Sequence, residues 1–301
     1  MKKILIYSSL LFLFFIFHIE RSQAYTILAG ELSYKHLQNQ TYEINAVVYY
    51  ECGKADVSLS FDQGYQVDIF SMNYSKVVGF EKGSYHENLY PKSKSLISAC
   101  AGKKTTCEGG AVIGIYKIVY SGTTTFPATH DDWYLNVYLK WLSFDVSNIG
   151  TREGDTKTLT SMALQATLDN KNFFFNNSPK LTFDPLALFN IGNSQNFIQS
   201  NRDNDGDILQ YSLIEPQSHG DFYPQVNKVV YNPPFTYTNP ISSSTPFTLN
   251  ATNGTITVSP TALQSTIFTV LIKEIRNGLV AGTVKRYFYM RSAPPGFYCA
   301  E

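Results

Sequence analysis

A run of acidic and amide side chains near residue 200 is the part of the sequence best suited to chemistry. It reads SNRDNDGD, with Asp203, Asp205 and Asp207 at alternate positions and Gly206 between the last two. Alternate carboxylates can converge when the backbone coils into a tight loop, and Gly206 permits the sharp turn that such a loop needs. Hard oxygen ligands of this kind suit Ca²⁺, which takes about six to eight of them. The sequence therefore predicts a structural calcium site. The predicted ligands are Asn201, Asp203, Asp205 and Asp207.

The residues around this run decide which kind of calcium site is expected. Counted from Asn201, the first half of an EF-hand loop fits, but the twelfth position is Ser212 instead of the bidentate Glu. The following ILQYSL alternates as a strand, so we expect a loop at the head of a β-strand. Glu274, at the end of another predicted strand, completes the ligand shell if it folds near the loop. The alternative is an acidic turn in solvent, because Asp and Asn favour turns.

The N-terminus has the pattern of a secretory signal peptide. Lys2 and Lys3 are followed by an apolar run over residues 4–17, and Ser22–Ala24 offers small residues for cleavage. The apolar run is short for a membrane span, which needs about 20 residues. We expect an exported chain that begins at Tyr25, without a transmembrane anchor after cleavage. The predicted location is extracellular or at the cell surface, with the periplasm as an alternative.

The charge of the predicted mature chain is close to balanced. Loss of Lys2, Lys3, Arg21 and Glu20 with the signal peptide reduces the 24 basic and 24 acidic residues to 21 and 23. No basic footprint for nucleic acid is present, so nucleic acid is not an expected partner.

Four cysteines lie in the predicted exported part, where an oxidising compartment permits disulfides. They are Cys52, Cys100, Cys107 and Cys299. Four cysteines allow three pairings. We favour the local pair Cys100–Cys107, which closes a small loop, and this leaves Cys52–Cys299 by elimination. A zinc site is disfavoured because no close CxxC spacing is present.

The composition and the hydrophobic pattern predict an all-β fold. Tyr and Phe each occur 21 times, and short stretches alternate between apolar and polar residues. The alternating stretches lie at residues 41–51, 134–144, 255–258 and 268–274. Asn277-Gly278 separates two strand-like runs, and Asn-Gly is the strongest short hairpin signal. Such strands between Asn, Gly, Ser and Pro clusters are typical of β-sandwiches.

A change in pattern at residues 176–183 predicts a boundary between two consecutive β-sandwich domains of immunoglobulin-like or cadherin-like type. Both predicted domains have sizes that suit a single sandwich. The predicted segments are a signal peptide over 1–24, an N-terminal sandwich over 25–177, a second sandwich over 178–291 and an irregular tail over 292–301.

Several segments resemble exported surface proteins of Bacteroidetes of the adhesin-like or gliding-motility-associated type. In the first half these are GELSYKHLQNQTYEINAVVYYEC, CEGGAVIGIYKIVYSG and DDWYLNVYLKWLSFDVSNIG. In the second half they are NNSPKLTF, DNDGDILQYSLIEP, NATNGTITVSP and IKEIRNGLVAGTVKRYFYM. The second half is also similar to the cadherin-like and immunoglobulin-like sandwiches of bacterial surface proteins. The resemblance implies a non-catalytic role in adhesion or surface assembly, with a surface protein or a glycan as partner.

Catalytic patterns are weak by comparison. No G-x-S-x-G elbow is present, no glycine-rich phosphate loop follows a strand, and His130-Asp131-Asp132 is expected to be an exposed turn before a strand. We therefore expect that the protein is not an enzyme. The alternative function is a secreted carbohydrate-binding protein that assists polysaccharide use. An exposed row of aromatic side chains on one sheet face would favour it.

Overall fold

The computed structural model describes residues 26–52, 64–72, 84–140, 146–150, 161–219 and 226–297. The predicted signal peptide and Cys299 lie outside the described residues. Strands dominate, and the described part contains one short 3-10 turn, Thr106–Glu108, and no α-helix. The predicted all-β class is confirmed. In the part of the chain described, no helix has the length and apolar character required to cross a bilayer.

The described residues form sixteen strands. The first eight are β1 Ile27–Gln38, β2 Thr41–Glu51, β3 Tyr65–Ser71, β4 Ser84–Ser98, β5 Gly114–Thr125, β6 Trp133–Lys140, β7 Ser161–Leu168 and β8 Leu186–Asn190. The others are β9 Gln195–Phe197, β10 Ile208–Ile214, β11 Gln217–His219, β12 Val226–Lys228, β13 Thr248–Leu249, β14 Ile256–Val258, β15 Gln264–Arg276 and β16 Leu279–Ala293.

One large sheet contains most of these strands. Its order is β1-β2-β5-β4-β3-β6-β7-β16-β15-β10, and all neighbours along this path are antiparallel. The long strand β16 has β15 on one side and meets β7, β1 and β8 in turn on the other. Two small sheets, β11-β12 and β13-β14-β9, complete the described structure. Strand β16 therefore joins the first part of the chain to the last.

Local sequence accounts for the individual strands. In β2, alternate residues face the interior, and Tyr42, Ile44, Ala46 and Val48 are buried. Strand β10 follows the acidic run as predicted and pairs with β15. The predicted hairpin is confirmed, because Arg276 pairs with Leu279 across a two-residue turn at Asn277 and Gly278. Both turn residues have positive φ, at 53° and 81°, which Asn and Gly tolerate best.

Two hydrophobic cores lie on opposite faces of the β15–β16 hairpin. The N-terminal core collects side chains from β1 to β7 together with Ile267 and Tyr287. The C-terminal core collects side chains from β8, β10, β14 and nearby loops together with Phe268 and Phe288. Because neighbouring residues of a strand point to opposite faces, Ile267 and Phe268 of β15 serve different cores, and so do Tyr287 and Phe288 of β16. The hairpin therefore stabilises both halves of the molecule.

The strand pairing does not separate the molecule into the predicted pair of consecutive sandwiches. The predicted boundary at residues 176–183 separates β7 from β8, yet both strands pair with β16. The first strand, β1, also pairs with β16 at Gly30 and Glu31. The described residues thus form one large sheet, two small sheets and two cores, and the strand pairing alone does not divide the chain into two sandwiches.

The predicted disulfide pairing is wrong. Cys52 is bonded to Cys107, not to Cys299, and the local Cys100–Cys107 pair does not form. The reason is the long-range pairing of β2 with β5, which places Glu51 opposite Ile115. The backbone N–H of Cys52 donates to the carbonyl of Gly114 at 2.9 Å, beside the 3-10 turn that carries Cys107. Cys100 is also disulfide-bonded. The bond between Cys52 and Cys107 fits an oxidising compartment.

Candidate functional site

The predicted calcium loop forms a compact turn in front of β10. Gly206 has a φ of 86°, a left-handed conformation that favours glycine. Asp203 Oδ1 accepts hydrogen bonds from the backbone N–H groups of Asp205, at 2.8 Å, and Asp207, at 3.0 Å. One oxygen of Asp203 therefore organises the loop. Its second oxygen, Oδ2, is buried and accepts no hydrogen bond from any described residue.

The other two aspartates of the loop are fully engaged. Asp205 accepts from the backbone N–H of Asn177 at 2.6 Å and from its side-chain amide at 2.8 Å. Asp207 receives two parallel bonds from Arg276, at 2.5 Å from Nε and 2.8 Å from Nη2. A second ion pair joins Arg276 Nη2 to Asp205 at 3.3 Å. Such forked pairing is the strongest form of charge-assisted hydrogen bond.

Glu274 lies beside this loop and is fully buried. It sits on β15 opposite Leu209 of β10, with 0% of its surface exposed. Its Oε2 accepts from the Tyr34 hydroxyl at 3.1 Å and from the Asn176 amide at 2.5 Å. Its Oε1 is buried and accepts no hydrogen bond from the described residues. Glu274 therefore resembles Asp203 in having one occupied oxygen and one without a partner.

A glycine allows this close approach. Gly282 of β16 pairs with Glu274 across the hairpin. A Cβ at this position would lie 2.1 Å from the Tyr34 hydroxyl and 2.5 Å from Glu274 Oε2. Both contacts are too short for real atoms, so any larger residue would displace the Tyr34–Glu274 contact.

The charges of the cluster raise the pKa values of its buried acids. Burial raises the pKa of Glu274 well above its usual value, and the negative charges of Asp203 and Asp207 raise it further. Hydrogen bonds from Asn176 and Tyr34 act in the opposite direction. Burial also raises the pKa of Asp203. The ionised form of Glu274 is therefore disfavoured unless a cation lies beside it.

The acids around Glu274 outnumber the basic groups. The junction cluster contains four carboxyl groups and one guanidinium. Its members are Asp203, Asp205, Asp207, Glu274, Arg276, Tyr34 and Asn176. Oxygen donors in excess of local positive charge are the chemistry that Ca²⁺ prefers. The two buried oxygens without partners, Asp203 Oδ2 and Glu274 Oε1, are donors of the kind that Ca²⁺ binds. In the described part of the chain, no group of three or more His, Cys, Asp or Glu side chains is arranged so that it could hold a metal ion. The calcium ligand set remains a prediction from donor chemistry.

The fourth predicted ligand, Asn201, is placed in a different cluster. Its Oδ1 lies 3.5 Å from a nitrogen of Arg286, which is fully buried. The guanidinium of Arg286 is paired with Glu31 at 2.8 Å and also donates to Gln199 at 3.1 Å. It donates further to the carbonyl of Phe183. The structure thus brings Asp203, Asp205 and Asp207 together and directs Asn201 towards Arg286.

Sequence reasoning pointed to Glu274 but missed most of its neighbours. Tyr34 and Asn176 lie 240 and 98 residues away from Glu274 along the chain. No local pattern marks them. Tyr34 lies on β1, which pairs with β16, and Asn176 lies in the loop between β7 and β8, where its side chain also accepts from Arg276. Arg276 carried one available signal, since it stands two residues after Glu274 and strands place such residues on the same face.

The polar run His130-Asp131-Asp132 is a structural turn. Asp132 accepts from the backbone N–H of Met72 at 2.9 Å and from the Ser71 hydroxyl. Asp131 forms an exposed ion pair with Lys171 at 3.3 Å. The run precedes β6 as expected, and its two aspartates stabilise neighbouring segments.

Exposed aromatic side chains do not line one sheet face in the described part of the chain. Phe174 and Phe175 are 62% and 54% exposed and flank the ring of His36, at centroid distances of 6.4 and 6.3 Å. Other exposed rings lie on separate elements, such as Tyr90 on β4. Carbohydrate binding therefore stays a prediction from composition.

Comparison with known proteins adds no family to these observations. No protein-family model and no curated protein sequence matches the chain.

Proposed function

We propose that the protein is an exported, non-catalytic surface or secreted protein that acts in adhesion or surface assembly and contains a structural calcium ion. The proposed calcium ion rests on the environment of Glu274. Glu274 is a fully buried carboxyl group with one oxygen that accepts no hydrogen bond from the described residues. The negative charges of Asp203 and Asp207 act on it as well. A buried charge without compensation is expensive, and a bound cation compensates it.

The adhesive role is supported by the resemblance to surface proteins and by the architecture. All described regular structure is β-sheet apart from one 3-10 turn, and a disulfide joins Cys52, just after β2, to Cys107 in that turn. We interpret the two cores as two sandwich-like units that share the β15–β16 hairpin. A rigid body of this type suits a protein that presents loops to a surface protein or a glycan, and calcium would keep the junction rigid.

Thermal unfolding tests the calcium part. A ligand at 100 times its Kd stabilises the folded state by about 2.7 kcal/mol. For a chain of this size, we expect calcium to raise the Tm by roughly 5 °C or more relative to a chelator. The variant with Asp203, Asp205 and Asp207 all changed to Asn should lose this increase. The variant D131N, which removes an exposed acid outside the loop that pairs with Lys171, is the control and should keep it.

A binding assay tests the adhesive part. Labelled mature protein is applied to whole bacterial cells and to a glycan array, with calcium and with a chelator. We expect calcium-dependent binding to cells, and binding to defined glycans would identify the carbohydrate-binding alternative. Turnover of a glycan or peptide during these assays would contradict the proposal of a non-catalytic protein.

A further inference from the structure

The four carboxyl groups of the junction cluster are not equally available to a cation. Asp205 has both oxygens hydrogen-bonded to Asn177, and Asp207 has both bonded to Arg276. An ion that bound these oxygens would have to displace existing bonds. Asp203 Oδ2 and Glu274 Oε1 are buried and accept no hydrogen bond in the described structure. The oxygens that need a cation therefore belong to the first acid of the loop and to an acid on β15.

We propose that Asp203 and Glu274 together form a divalent-cation site, and that an ion bound there fastens the C-terminal core to strand β1 of the N-terminal core. The inference rests on the calcium proposed above and assigns its protein ligands. Asp205 and Asp207 act on the ion through their charge and through Arg276. The remaining ligands are supplied by water or backbone oxygens.

The second half of the proposal follows from the other oxygen of Glu274. Glu274 Oε2 accepts the hydroxyl hydrogen of Tyr34, a residue of β1 that is 2% exposed. The backbone of Tyr34 is in turn held by Ser178, because its N–H donates to Ser178 Oγ at 2.9 Å. The backbone N–H of Ser178 donates to the Tyr34 carbonyl at 3.0 Å. One carboxyl group thus lies between the acidic loop and β1.

Neutralising the charge of Glu274 favours the arrangement in which it is buried. A carboxylate bound through Oε1 to a cation keeps Oε2 free to accept from Tyr34 and Asn176. Without a cation, burial of the ionised group opposes the same arrangement. An ion at this site should therefore reduce local opening of β1 as well as of the loop.

Calcium titration calorimetry of the full mature chain tests the ligand assignment. Wild type is expected to bind one Ca²⁺, and E274Q and D203N should each bind it at least tenfold more weakly. Glutamine preserves the size of Glu274 and an acceptor for Tyr34, and circular dichroism checks that each variant folds. D131N is the matched control for loss of one acidic charge and should bind as wild type.

The outcomes separate this inference from the proposed function. Failure of wild type to bind calcium at millimolar concentration would contradict both. Calcium binding that is lost in the triple loop variant but unchanged in E274Q would leave the proposed calcium loop standing and overturn the role of Glu274.

Hydrogen exchange measured by mass spectrometry tests the link to β1. Calcium should slow exchange in peptides that contain Tyr34, as well as in those that contain residues 201–214. The variant Y34F removes the hydroxyl that reaches Glu274, and it should bind calcium within about threefold of wild type while losing the added protection of β1. Protection confined to the loop in wild type would overturn the proposed link.

Discussion

Two buried glutamates at the junction of the cores differ in how their charge is compensated. Glu31 on β1 lies 2.8 Å from Nε of Arg286, a guanidinium with no exposed surface. Glu274 on β15 also has an arginine nearby, but Arg276 is bonded to Asp207 and Asp205 instead. The first glutamate forms a complete ion pair within the protein. The second belongs to an acidic cluster with excess charge, and this difference points to a cation site at one position only.

Burial alone does not mark a functional acid. Glu31 and Glu274 are similarly buried, at 4% and 0% exposure. What distinguishes them is whether each oxygen and each charge has a partner. A paired buried charge stabilises only while both members remain, whereas an uncompensated one destabilises until it gains a proton or a cation.

The largest expected effect comes from breaking the buried ion pair between Glu31 and Arg286. E31Q leaves Arg286 buried without its counter-charge, so we expect the free energy of unfolding to fall by about 3–5 kcal/mol. Chemical denaturation with guanidinium chloride measures this loss. The control E43Q removes the partner of Lys92 on the surface, where the pair is worth less than about 1 kcal/mol. Equal losses in the two variants would show that Glu31 and Arg286 are not coupled.

The corresponding change at the second glutamate should have the opposite sign. In the presence of a chelator, folding requires the buried Glu274 either to keep its charge or to take up a proton, and both cost free energy at neutral pH. E274Q removes this cost while it keeps the size of the side chain. We expect the free energy of unfolding to rise by roughly 1–2 kcal/mol at neutral pH. The same denaturation experiment provides the measurement. A loss as large as that of E31Q would mean that Glu274 is already compensated, and the contrast between the two glutamates would disappear.

A smaller effect is expected at Lys285, which stands next to Arg286 on β16. Lys285 donates to the neutral Gln217 at 2.5 Å, and burial lowers its pKa from 10.5 to about 8. Between these pH values the unfolded chain binds a proton that the folded chain does not, so wild-type stability should rise with pH. The stability that the folded state gains from a neutral Lys285 is lost as the pH falls through about 8.

The variant K285M tests the cost of burying the charge of Lys285. It should be more stable than wild type by about 1 kcal/mol at pH 7, and the difference should shrink by pH 9.5. The full shift corresponds to roughly 3 kcal/mol, which contact with water reduces. Melting temperatures measured across this pH range provide the test, with K273M on the neighbouring strand as control. A constant difference between K285M and wild type would contradict the burial of the charge.

The sequence predicts the parts of this structure that depend on short-range patterns. The strand after the acidic run, the Asn277-Gly278 turn and the alternation of β2 all appear as expected. The Cys52–Cys107 bond and the shared hairpin do not follow from local patterns, because they depend on the pairing of β2 with β5 and of β1 with β16. For the same reason, the Tyr34 contact to Glu274 becomes visible only once the strands are placed.

The most direct test of the contrast is the calcium-induced change in Tm, measured in parallel for wild type, E31Q and E274Q. E31Q should be destabilised yet keep the full wild-type increase with calcium. E274Q should be at least as stable as wild type in chelator and should show little or no increase. A calcium response that is equal in E274Q and wild type, or one that is lost in E31Q and kept in E274Q, would overturn the assignment of Glu274 as a calcium ligand.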